Sequence, residues 1–97
     1  MIVFFSEAAE SEMEHAYDYL ESQRSGLGDD LSADIEAGVR QIAEHPMRWP
    51  EEEPGFRRYR LRKFQYKLIY RVRSNQAEIV SVWHLARRPG GWRANVD

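Results

Sequence analysis

Near Pro46 the spacing of apolar residues changes from a helical repeat to strict alternation, and a chain of 97 residues has room for one domain built from both halves. Ala9, Met13, Ala16, Tyr17 and Leu20 recur at steps of four, three, one and three between Glu7 and about Arg24. Leu31, Ile35, Val39 and Ile42 recur at four, four and three. Both patterns predict amphipathic helices. Ser6 is placed to cap the first, Asp29 or Asp30 to cap the second, and Ser25-Gly26-Leu27-Gly28 breaks the chain between them. Pro46 disfavours helical backbone in the residue before it, which stops the second helix near His45. So short a link predicts an antiparallel helical hairpin.

Beyond Pro46 the period is two. Phe64, Tyr66, Leu68, Tyr70 and Val72 alternate with Gln65, Lys67, Ile69, Arg71 and Arg73, the strongest strand signal in the chain. Arg57 to Leu61 predicts a strand before it, with Tyr59 and Leu61 on one side and Arg58 and Arg60 on the other. Ser74-Asn75-Gln76 makes a tight turn into a third strand, Glu78 to His84, so residues 57–84 form an antiparallel meander. In that last strand Ile79 and Trp83 face one side, and Val80 and Val82 the other; both sides are apolar, and the pattern leaves its orientation open. Ile2 to Phe5 predicts one more short strand, and the proline-rich residues 46–55 read as a surface loop. The fold class is therefore α+β, in the order β-α-α-β-β-β: one domain over residues 1–97, with a helical hairpin on one face of a twisted antiparallel sheet and the other face open.

Charge follows the same division. Residues 1–53 hold three arginines and fourteen acids, minus eleven; residues 54–97 hold eleven Arg or Lys and two acids, plus nine. The overall charge of minus two is a cancellation between the halves. Arg58, Arg60, Lys67, Arg71 and Arg73 fall opposite the aromatic stripe and are expected to line a basic concavity on the open face. Arg57-Arg58-Tyr59-Arg60-Leu61-Arg62-Lys63 interleaves guanidiniums with an aromatic ring, the pattern that meets phosphates or an acidic protein partner.

Several chemistries are excluded. There is no cysteine, so disulfides, thiolate metal sites and a thiol nucleophile are out. Met1 to Phe5 is too short and too poor in flanking bases for a secretory leader or a membrane span, which predicts a cytoplasmic protein without a membrane partner. No phosphate loop or nucleophile elbow occurs. Glu12-x-x-His15 has the spacing of a carboxylate-bridged metal site but lacks the second copy such sites need, so neither metal nor cofactor is expected. His84, followed by Arg87 and Arg88, could serve as an acid beside phosphate-stabilising guanidiniums, but no acid in the basic half is placed as a general base. Trp49 and Trp92, each next to prolines or glycines, are expected to clamp loop and tail onto the core.

Taken in order, Ser6-x-x-Ala9, Gly26-Leu27-Gly28, Ile42 with Pro46, Arg57-Arg58 before Leu61, Phe64-x-Tyr66-x-Leu68-x-Tyr70, and Val82-x-His84-x-x-Arg87-Arg88-Pro89-x-x-Trp92 resemble the ParE/RelE toxins of bacterial type II toxin–antitoxin systems, and most closely the ParE or plasmid-stabilisation branch. The resemblance runs over nearly the whole chain and implies the same β-α-α-β-β-β fold, growth inhibition, and neutralisation by a cognate antitoxin whose C-terminal segment wraps the toxin. For ParE-like members it implies DNA gyrase as the target; RelE-like members are ribosome-dependent endoribonucleases that cut mRNA. For a nuclease, His84, Arg58, Arg71 and Arg87 are the catalytic candidates, but the glutamate base of the second strand and the C-terminal tyrosine are absent. That favours a gyrase inhibitor without chemistry of its own. The residues expected to meet target or antitoxin are Arg57, Arg58, Arg60, Arg62, Lys67, Arg71, Arg73, Arg87, Arg88 and Trp92. The sequence leaves homo-oligomerisation open.

Overall fold

The computed structural model describes residues 1–96; Asp97, counted in the charge arithmetic, lies outside the described residues. Strand β1 (Ile2–Phe5) leads through Ser6 into helix α1 (Glu7–Gln23) and helix α2 (Leu27–Glu44). Strands β2 (Glu51–Glu53), β3 (Phe56–Arg60), β4 (Tyr66–Arg73) and β5 (Gln76–His84) follow, and a 3₁₀ turn (Gly91–Asn95) closes the chain. Ser6 caps α1 as its side chain accepts the Ala9 N–H at 3.1 Å. The cap of α2 differs from expectation. Gly26 takes that position with φ at +95°, which a side chain resists, and Asp29 and Asp30 sit in the first turn, where carboxylates favour the helix dipole.

The sheet has five strands in the order β1-β5-β4-β3-β2. The expected meander is present as β3, β4 and β5, closed between β4 and β5 by Ser74 and Asn75, both at positive φ, as a two-residue hairpin turn requires. Two features were not foreseen. β1 joins the far side of β5 in parallel, so the sheet is mixed and β5 is an interior strand, which accounts for its two apolar faces. The proline-rich loop contains β2, which pairs with β3 through an irregular register.

The helices cover one face, where Leu31, Ile35, Ile42, Tyr59, Leu68, Tyr70, Ile79 and Val82 are buried together. The outer face is not open as expected. Ile69, Val80, Trp83 and Trp92 form a second, smaller core there, with Phe56 and Val96 packed against it. A register shift between Ile69 and Tyr70 against β5 also reverses part of the expected facing: Ile79 and Val82 share the helical face, while Val80 and Trp83 share the outer one.

Two acids of the helices finish the sheet. Buried Asp34 accepts the Lys63 and Phe64 N–H groups at 2.9 and 3.0 Å, turning the chain before β4 and delaying that strand to Tyr66. Glu12 accepts the Ser81 hydroxyl at 2.8 Å and the Val82 N–H at 3.0 Å, at the part of β5 that extends past the end of β1. It stands in for the missing strand.

Candidate functional site

Alternation places Lys67, Arg71 and Arg73 of β4 and Arg58 and Arg60 of β3 on the outer face, as the sequence pattern predicts. The acids that meet them come from both flanks. Glu52 of β2 reaches Lys67 at 2.7 Å and Arg58 at 3.8 Å, and Glu78 of β5 reaches Arg71 at 3.0 Å and Arg73 at 4.0 Å. Two carboxylates thus serve four cations, and Arg60 makes no ion pair among the described residues. Arg57 lies on the helical side, donating to the Met47 and Trp49 carbonyls at 3.2 and 2.7 Å, and so anchors the loop. Arg62 is exposed in the turn between β3 and β4, and Arg88 is exposed after β5.

Trp92, expected among the partner-binding residues, is fully buried against Phe56, ring centroids 5.0 Å apart, and has no surface to offer. Its tail is tied down by Arg93 on Glu53 at 2.6 Å and by Asn95 donating to the Val80 carbonyl at 3.0 Å. Close packing matters at Gly91, where a Cβ would lie 2.7 Å from the Trp83 ring. Trp49 packs edge-on to Tyr59 at 4.8 Å, clamping the loop.

His84 sits on the helical side of the sheet, edge-on to Tyr66 at 4.8 Å, away from Arg58 and Arg71. Its Nδ1 accepts the Ala86 N–H at 3.0 Å, which leaves Nε2 to carry the proton of the neutral ring. A cleft of about 210 Å³ there is lined by Glu12, His15, Tyr19, Tyr66, His84 and Arg87. Burial, and to a smaller degree Tyr19, pushes the Tyr66 hydroxyl above its ordinary pKa, so it stays a proton donor. Arg87 lies over the Trp83 ring, 3.9 Å from its centroid. The four nuclease candidates are therefore divided: Arg58 and Arg71 lie on the outer face, His84 on the helical side, and Arg87 past the end of β5, where it borders the His84 cleft while stacking on the outer-face ring of Trp83.

The family model of the ParE toxin of type II toxin–antitoxin systems, parDE, matches residues 3–89. The chain belongs to the ParE toxin family. The fold agrees with a solved structure, the chromosomal ParDE TA system from P. aeruginosa, at a TM-score of 0.71 and 18% identity, covering 88% of this chain and 96% of that one. No curated protein matches it in sequence.

For a member of this family, the residues that sequence reading missed are the acids. Glu52 sits in a proline-flanked run that reads as loop, and its pairing with Lys67 needs two strands, β2 and β3, to bring it there. Glu12 gave a signal, but as half of a metal pair; its carboxylate is engaged by Ser81 and Val82, and among the described residues no cluster of three His, Asp or Glu is arranged to hold a metal. No helix among those residues is long and apolar enough to cross a membrane.

Proposed function

We propose that this ParE-family toxin inhibits DNA gyrase by binding alone and is held inactive by a cognate antitoxin. Family membership supplies the toxin class, and the antitoxin follows from it. The observation that supports binding over bond cleavage is the division of the groups a nuclease would gather. Arg58 and Arg71 are tied to Glu52 and Glu78 on the outer face, while His84 is held beside Tyr66 on the helical side. Phosphoryl transfer needs its acid, base and charge stabilisers around one reacting atom. The test is gyrase supercoiling with purified toxin in excess. Inhibition or accumulated cleavage complexes, retained in His84→Ala, is the expected outcome; unchanged supercoiling contradicts the target.

One observation favours a second reading, a RelE-like ribosome-dependent mRNA endoribonuclease. His84, Arg87 and Tyr66 line one cleft, which would bring an acid to the same opening as groups that steady a phosphate. Primer extension on ribosome-bound mRNA decides it: toxin-induced cuts that vanish in His84→Ala support cleavage, and their absence removes it.

A further inference from the structure

Register gathers side chains of three strands around one cleft, at the end of β5 remote from His84. Phe4, Glu78 and Arg71 stand in one row across β1, β5 and β4, and Gln76 and Arg73 in the row beside it. With Ser74 of the turn they enclose about 300 Å³, at the lower end of the range for small-molecule clefts. Strands about 4.8 Å apart and residues about 3.3 Å apart put the Phe4 and Arg73 backbones roughly 12 Å from one another, on opposite sides of the opening.

These groups differ in what engages them. Glu78 Oε1 accepts from Arg71 Nε at 3.0 Å, but its 4.0 Å to the Arg73 guanidinium is too long for a hydrogen bond. The Arg73 side chain is 69% exposed, and among the described residues neither it nor the Ser74 hydroxyl nor the Gln76 amide makes a hydrogen bond within the protein. Three sets of donors thus border one opening with nothing to receive them. Glu78 Oε2 is a spare acceptor beside them, and Phe4 adds an aromatic ring that is 41% exposed. Two cations against one carboxylate leave the cleft with one positive charge in excess.

A ligand anionic throughout would be repelled by Glu78, and a wholly apolar one would leave the donors bare. The lining suits a molecule with a phosphate at one end and a flat ring carrying N–H groups at the other. We propose that this cleft binds one nucleotide, free or at the 5′ end of a single strand. The phosphate accepts from Arg73, Ser74 and Gln76, the base stacks on Phe4, and an exocyclic amine of the base donates to Glu78 Oε2. The inference depends neither on the gyrase reading nor on the His84 cleft, whose lining shares no residue with this one.

The test is binding of three probes to the purified toxin: inorganic phosphate and AMP by titration calorimetry, and 5′-phosphorylated single-stranded oligo-dA, labelled at its 3′ end, by fluorescence anisotropy. AMP, the strand or both are expected to bind more tightly than phosphate. Phe4→Ala and Arg73→Ala should each weaken that binding at least about fivefold, the smaller end of what a lost base stack or charged hydrogen bond is worth. Both side chains are exposed, so the fold is kept, and unchanged thermal melting confirms it. Arg24→Ala, which removes an exposed arginine at the end of α1, should bind as wild type. AMP binding assigns the cleft to a free nucleotide, and binding of the strand alone assigns it to a strand end. No binding of either, phosphate held as tightly as both, or wild-type affinity kept by Phe4→Ala or Arg73→Ala overturns the proposal. So does an equal loss in Arg24→Ala, since the attraction would then be to surface charge at large and not to this cleft.

Discussion

The β2 edge is closed by its own molecule and the β1 edge is left bare. At β2, Glu52 sits between Lys67 and Arg58, and the tail from Trp92 to Asn95 lies over the same outer face, fastened to Glu53 through Arg93. These acids account for much of why the basic half shows less free charge than its composition predicts. At β1 nothing comparable occurs, and large apolar side chains face solvent. Charge count along the chain is therefore a poor guide to which surface the fold leaves uncovered. Of the second half's eleven cations, Lys67, Arg58 and Arg93 are met by Glu52 and Glu53 of the first, whereas the uncharged strand β1 keeps one edge bare.

The largest expected effect comes from the closed side. Trp92→Ala removes the centre of the second core, and truncating a fully buried tryptophan costs about 3–5 kcal/mol, read by chemical denaturation. A loss below about 1 kcal/mol would mean that the tail does not close this face. Next is Glu52→Gln, which leaves the part-buried Lys67 ammonium without its carboxylate; about 1–3 kcal/mol of stability should go. The same change should strengthen retention on a heparin column, because two cations on the outer face lose their shared partner.

Alkaline pH probes the helical face for contrast. The buried Tyr70 hydroxyl donates to the Pro46 carbonyl at 2.6 Å, and burial pushes its pKa up to about 12, with Arg57 pulling slightly the other way. The fold favours the neutral phenol, so its contribution is full below the unfolded value near 10 and is lost as pH rises from about 10 to about 12. Tyr70→Phe should flatten the fall in stability over that window while lowering neutral-pH stability by about 1 kcal/mol for the lost hydrogen bond. An unchanged pH profile would place that titration elsewhere. The smallest effect belongs to the bare edge: Ile2→Lys should change stability by no more than about 0.5 kcal/mol, because the side chain is mostly solvated. A large loss there would make β1's exposed face part of the core, and the contrast between the edges would fail.

Much of this fold was legible in the residues because its signals are local. The repeats of α1 and α2, the alternation of β4 and the Ser74-Asn75 turn each depend on near neighbours in the chain. What stayed hidden depends on distant partners. β1 pairs with β5 some 74 residues onward, as Ile2 opposite Gln76 shows, and four apolar residues carry no information about which strand they join. β2 is three glutamates, poor strand formers held by β3 and by their cations. The facing of Val82 turned on the register shift in β5, where one extra residue reverses every side chain beyond it. Alternation made the outer-face placement of Arg58, Arg60, Lys67, Arg71 and Arg73 legible, but not their neutralisation by Glu52 and Glu78, because pairing across a sheet is a property of register.

One side of the sheet is closed within the molecule by the tail and its acids, and the β1 edge is left bare. Hydroxyl-radical footprinting of the free toxin checks that contrast, because exposed aromatic rings are oxidised faster than buried ones. Phe4 should be modified readily and Trp92 protected. Trp92 modified as fast as Phe4, or Phe4 as strongly protected as Trp92, would contradict it.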